Sequence, residues 1–196
     1  VCEAPRAQDA AEMPPIRLRP SNPRSPQPPF SSCRLHLFSP NLAELVVSWV
    51  GGWRETLWLA PRTPPPLTVA GFLSWHGPGV QPFLMRNEAI AEPIAYGELN
   101  TLSEVERRYW LGHLIVNPAL RGRGYGTELT RLLIRRAFEV HAAREVSLVV
   151  FPENRHAIRC YRAAGMVEDG FERHDFPCYG VRVDLVRMVI RPQNQF

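Results

Sequence analysis

The run Arg121-Gly122-Arg123-Gly124-Tyr125-Gly126-Thr127 alternates glycines with larger residues directly ahead of a helical pattern. That pattern is Leu129, Leu132, Leu133, Ala137 and Val140, spaced three and four apart, and it predicts a helix over 127–141. The first N–H groups of a helix have no partner within it and sit at the positive end of its dipole. Glycines let an anion approach those groups closely, and Arg121 and Arg123 add charge and forked donors. Ahead of the glycines, 110–116 is an apolar run stopped by Asn117-Pro118, which predicts a buried strand. The order strand, turn, helix is that of a phosphate cradle.

Spacing narrows the ligand. A P-loop needs Gly-x-x-x-x-Gly-Lys-Ser/Thr, and all 23 basic side chains here are arginine. A dinucleotide fingerprint needs Gly-x-Gly-x-x-Gly immediately after the strand; here Asn117 to Leu120 intervene and Thr127 stands where the third glycine belongs. The pattern Arg121-x-x-Gly124-x-Gly126 instead resembles the pyrophosphate loop of the GNAT superfamily, the acyl-coenzyme A-dependent N-acyltransferases. A second segment carries the same resemblance. It has an apolar strand at 147–151, then Asn154, the pair Ala157-Ile158, Tyr161, and Gly165 followed by Met166. Asn154 and Tyr161 lie two turns apart, so a helix places both on one face.

The elements that must position these residues follow from periodicity and punctuation. Strands are predicted at 34–38, 81–86, 94–100, 110–116, 147–151, 166–173 and 182–190. Helices are predicted at 42–50, after Pro66 around Val69 to Trp75, at 127–141 and at 154–164. The stretch holding Trp53 and Trp58 reads as a loop. This order resembles the GNAT fold, an α/β (α+β) architecture. The resemblance implies a mixed, mostly antiparallel sheet of about seven strands with helices on both faces, splayed between strands 110–116 and 147–151.

The resemblance also implies the chemistry: transfer of an acetyl group from acetyl-CoA to a primary amine by direct attack. The backbone of Leu114, Ile115 and Val116 would pair with the pantetheine arm as an added strand does. The pyrophosphate would rest on Gly122, Arg123, Gly124, Tyr125, Gly126 and Thr127, with Arg121. Asn154 and Tyr161 belong to the second coenzyme segment, and Tyr161 corresponds to the family's proton donor to the leaving thiolate. Relatives that carry a glutamate base place it where this chain has Val149 or Trp110. The base is therefore expected elsewhere: Glu98, acting through a water, is the first candidate, ahead of His113. For the acceptor, Trp49, Trp53, Trp58, Trp75 and Tyr179 are candidate pocket walls, and Glu55 and Asp175 candidate partners of a cationic amine. Two other readings stand beside this one: a non-catalytic acyl-CoA sensor, and a dinucleotide-binding protein with Glu153 on the ribose.

Composition sets the remaining limits. A chain of 196 residues, 45% hydrophobic, suits one domain with a sizeable core. The net charge of +4 is spread along the chain, which favours small anionic ligands and carries no nucleic-acid signature. Cys2, Cys33, Cys160 and Cys178 have neither metal spacing nor a dense framework, so reduced thiols and a cytoplasmic setting are expected, without a metal. No secretion signal, internal repeat or membrane span is read. The expected partners are a small-molecule or peptide amine and, at most, a second copy of the chain. Eight prolines fall within residues 1–32, which read as a disordered or polyproline-like tail ahead of a domain over 33–192.

Overall fold

A computed structural model describes residues 30–192 of the chain. The tail predicted over 1–32 lies outside the described residues except at its end. There Phe30–Ser32 forms a 3-10 turn, and the Phe30 ring stands edge-on to Tyr125 with centroids 5.5 Å apart. Burial of that ring draws these residues into the domain, ahead of the predicted boundary.

Seven strands form one sheet: β1 (Cys33–Leu37), β2 (Val80–Asn87), β3 (Ile90–Ser103), β4 (Arg108–Val116), β5 (Glu145–Val150), β6 (Val167–Phe176) and β7 (Val181–Ile190). Their spatial order is β1-β2-β3-β4-β5-β7-β6, and every neighbouring pair is antiparallel except β4 with β5. This is the mixed, mostly antiparallel sheet the sequence led us to expect. Among the described residues five α-helices accompany it: α1 (Ala43–Ser48), α2 (Trp53–Leu59), α3 (Val69–Leu73), α4 (Tyr125–His141) and α5 (Arg155–Ala163). Helix α2 replaces the loop expected around Trp53 and Trp58. Gly52 caps it, and Glu55 reaches back to accept from the Gly51 N–H at 2.8 Å, which stabilises a short helix despite the prolines that follow.

Two cores cover the two faces of the sheet. On one face α4 buries Leu129, Leu133, Ile134 and Ala137 against Met85, Ala95, Leu99 and Leu111. Val140, expected on that stripe, is 59% exposed, because the apolar face has rotated away from it by the last turn. On the other face Ala43, Val46, Trp49 and Phe72 pack on Leu84, Tyr96 and Ile115. Gly97 permits the close approach of α4: a Cβ there would lie 3.1 Å from Leu133 and 3.2 Å from Leu129.

Two irregularities in β4 shape the site. The register passes from Glu98↔Gly112 to Tyr96↔Ile115, so two residues of β4 oppose Gly97 alone. This is a β-bulge, and His113 within it takes φ +50°, a backbone region costly for a residue with a side chain. Beside it, β4 and β5 pair only at Arg108↔Glu145, Tyr109↔Val146 and Trp110↔Ser147, so the strands part from Leu111 onward.

Gly112 lets the Trp110 indole fold across the strand. A Cβ on Gly112 would lie 2.4 Å from Trp110 Cζ3 and 2.7 Å from Asn100 Nδ2. Gly112→Ala is therefore expected to displace the indole and destabilise the fold by about 1–3 kcal/mol, measurable as a lower denaturation midpoint. An unchanged midpoint would mean that the indole moves aside freely.

Candidate active site

The glycine turn meets α4 at Gly124, whose φ of +85° is the left-handed conformation that glycine adopts without strain. The first bond across the helix start runs from Glu128 N to Gly124 O at 3.1 Å, so the N–H groups of Tyr125, Gly126 and Thr127 precede the helical ladder. The side chains here do other work. Tyr125 is buried in the core, a Cβ on Gly126 would touch Cys160 Sγ at 3.0 Å, and the Thr127 hydroxyl lies 3.3 Å from the same sulfur. The third glycine thus serves close packing of α4 on α5, and an anion would meet backbone rather than side chains at these three positions.

Arg121 is engaged within the protein. Its Nε donates to Val116 O at 3.1 Å, one terminal nitrogen to Glu55 Oε1 at 2.6 Å, and the other to Trp49 O at 2.9 Å. Burial pushes the Glu55 carboxyl up, but the bonds from Arg121 and the Gly51 N–H outweigh it and hold it below its ordinary value. Glu55 is thus tied to the turn rather than turned toward an amine. Asp175 is likewise held by Arg182, at 2.5 and 3.0 Å. Arg123 stays exposed.

Asn154 caps α5, its side-chain oxygen accepting from the Ala157 N–H at 3.2 Å. Tyr161 follows on the same helix, packed against the main core. Burial, and then the neighbouring Cys160, push its hydroxyl above its ordinary pKa, so it stays protonated at any working pH.

Glu98 is only 1% exposed and lies at the centre of a hydrogen-bonded cluster. Tyr96 Oη donates to Oε1 at 2.6 Å, His113 Nδ1 lies 2.7 Å from Oε2, and Asn100 Nδ2 is 3.4 Å from that oxygen. His76 Nε2 meets Tyr96 Oη at 2.8 Å from the far side. Burial alone would push the Glu98 carboxyl up, but hydrogen bonding and attraction from His113, then the bonds from Tyr96 and Asn100, hold it below the usual carboxylate range. Burial lowers the His76 pKa against the pull of Glu98. A carboxylate can only accept, so His113 presents Nδ1–H to it, and in the neutral imidazole this leaves Nε2 as the bare ring nitrogen. The His113 ring stacks on Trp75, with centroids 3.9 Å apart and planes 18° from parallel.

His113 and Glu98 line a cleft of about 440 Å³ between the parting ends of β4 and β5, walled by Trp58, Trp75, Trp110, Val149, Phe151 and Phe176. The volume is that of a small-molecule site. Of the acceptor walls suggested by sequence, Trp58 and Trp75 line the cleft. Trp49 is buried in the second core, Trp53 is 60% exposed, and Tyr179 donates to Thr63 O at 3.0 Å. Tyr96 and Asn100 escaped the sequence reading, although Tyr96, Glu98 and Asn100 alternate along β3 and a period of two puts them on one face.

The profile of the acetyltransferase (GNAT) family matches residues 50–166. The spermidine N(1)-acetyltransferase of Escherichia coli strain K12 is 30% identical over 103 residues, covering 53% of this chain and 55% of that protein. The spermine/spermidine N(1)-acetyltransferase of Bacillus subtilis strain 168 is 30% identical over 63 residues, covering 32% of this chain and 41% of that one. The chain thus spans about half the length of the curated relatives it matches. Among solved structures, a spermidine N-acetyltransferase from Vibrio cholerae in complex with CoA and spermine superimposes with a TM-score of 0.69 at 19% identity, over 82% of this chain and 96% of that one. The aminoglycoside acetyltransferase AAC(6')-Ib, in complex with coenzyme A and kanamycin, gives a TM-score of 0.65 at 23% identity, over 83% and 96%. The glycine turn, the parted strands and the matched profile converge on one conclusion: this chain belongs to the GNAT family of acetyltransferases.

Proposed function

We propose that residues 33–192 act as one N-acetyltransferase domain, which moves the acetyl group of acetyl-CoA to a primary amine. The observation that carries this reading is the parting of β4 from β5 beside His113. It leaves the backbone of Leu114, Ile115 and Val116 beside a wedge that an amide-bearing pantetheine arm fits. The pyrophosphate rests on the N–H groups from Gly122 to Thr127, with Arg123 supplying charge. Arg121 orders that turn through Glu55.

In this mechanism the amine nitrogen attacks the thioester carbonyl carbon while a strand N–H stabilises the developing oxyanion. The proton shed by nitrogen passes to Nε2 of His113. Glu98 is then a positioning residue: it holds the imidazole by Nδ1–H, as a carboxylate holds histidine in other acyl-transfer sites. The carbon–sulfur bond breaks, and Tyr161 supplies a hydrogen bond and proton to the thiolate. Products are the amide and free coenzyme A. Holding the two reactants together contributes much of the rate, several kcal/mol. The free thiols Cys33, Cys160 and Cys178 support a reducing, cytoplasmic setting, and no helix among the described residues is long and apolar enough to cross a membrane.

Release of free thiol from acetyl-CoA in the presence of primary amines tests the reading. Tyr161→Phe keeps the ring and its packing. It is expected to lower kcat by about 10- to 100-fold with coenzyme A affinity nearly unchanged, less than for an ideally matched acid because its pKa is raised. Coenzyme A binding without turnover of any amine would leave a sensor in place of an enzyme.

A further inference from the structure

The acetyltransferases that this chain resembles are named or captured with polycations: spermidine, spermine, kanamycin. Its own cleft is built for something else. The walls are three indoles, two phenyl rings and the aliphatic side chains of Val149 and Leu185. Such a lining gains by covering apolar surface, and an indole face can meet a single ammonium, but it supplies no partner for a second or third charge.

A polycation needs carboxylates with free lone pairs. Among the described residues Glu98 is the one carboxylate lining the cleft, and it already accepts from Tyr96, His113 and Asn100. Three acids on the neighbouring elements are engaged with basic side chains as well. Glu55 on α2 is bonded to Arg121, Asp175 on β6 to Arg182, and Glu172 on β6 to Arg187 at 3.1 Å and to His174 at 3.3 Å. The remaining ionisable groups in the lining, Arg62 and His174, are basic. The Trp75 indole N–H is spent on Thr63 Oγ1 at 2.8 Å, so that residue turns ring surface rather than a donor to the cleft.

We propose that the acceptor is an apolar monoamine, one primary amino group on an aromatic or alkyl body, and that polyamines and aminoglycosides are excluded. The amino group lies against His113, where it enters the reaction uncharged. The body lies among Trp58, Trp75 and Trp110, the half-buried indoles of the lining. This inference rests on the acetyl-transfer reading of the same cleft.

The two can be separated by experiment on the unaltered chain. Thiol release from acetyl-CoA is measured with 2-phenylethylamine, spermidine and kanamycin, beside a calorimetric titration of coenzyme A. The expected result is a kcat/KM for 2-phenylethylamine about 100-fold or more above either polycation. Preference for spermidine or kanamycin, or parity, overturns the specificity and leaves acetyl transfer standing. Coenzyme A binding with no turnover of any of the three overturns both. Val149→Glu, which adds a carboxylate to the half-buried β5 wall, is expected to narrow the preference for 2-phenylethylamine over spermidine by 10-fold or more. An unchanged ratio in a folded Val149→Glu protein would count against the charge argument.

Discussion

Gly124→Glu is expected to abolish measurable coenzyme A binding. The substitution puts a carboxylate where the turn would hold a pyrophosphate, so like charges meet over the helix start. Backbone strain adds to it: φ at this position is +85°, and a Cβ would lie 3.1 Å from the Phe30 ring. A side chain in the left-handed region costs roughly 1–2 kcal/mol, which a domain of this size can lose and still fold. Gly122→Glu repeats the charge and the left-handed strain without the ring contact. Its φ is +76°, but nothing lies within 4 Å of its Cβ, so Phe30 is untouched. Both variants should fold cooperatively and show no heat of coenzyme A binding by calorimetry. Parental affinity in either folded variant would remove the turn from the cofactor site.

His113→Gln should produce the largest catalytic loss of any cleft substitution. It removes the bare ring nitrogen while leaving a polar side chain in the bulge. The loss in kcat/KM near neutral pH is expected to be about 100-fold or more, the usual worth of a positioned base. The deficit should shrink as pH rises toward the pKa of the amine, because neutral amine then needs no protein base. Glu98→Gln should lose less, because the imidazole remains and only the carboxylate that fixes the ring through Nδ1–H is gone. Rate profiles of both variants over a range of pH check this. A His113→Gln enzyme that follows the parent profile would return the base to Glu98 or to bulk water.

Much of the architecture was legible because it rests on local rules. The apolar run of β4, the three-and-four spacing in α4 and the turn signals after β4 each report a burial pattern set by near neighbours. Helix α2 was missed because its seven residues are too few for a period to emerge. Gly52 and Glu55 carried the signal instead, as the cap and as the acceptor of the Gly51 N–H just before it. Glu98 was legible as a carboxylate on the right strand, though not as a buried one; its partners Tyr96 and Asn100 share its face by simple alternation. The hold on Arg121 lay beyond any local reading. Its partners are 66 and 72 residues earlier in the chain, and only the folded sheet brings them together.

That guanidinium joins two parts that otherwise serve different ligands. It fastens the glycine turn to α2, and α2 carries Trp58 into the acceptor cleft. A turn and a helix fastened in this way do not adjust independently. If coenzyme A fills the turn and the amine fills the cleft, this fastening links the two sites, and thermodynamic linkage makes the effect on each ligand's affinity equal in both directions. Under that reading Arg121 is the side chain through which one ligand would register the other.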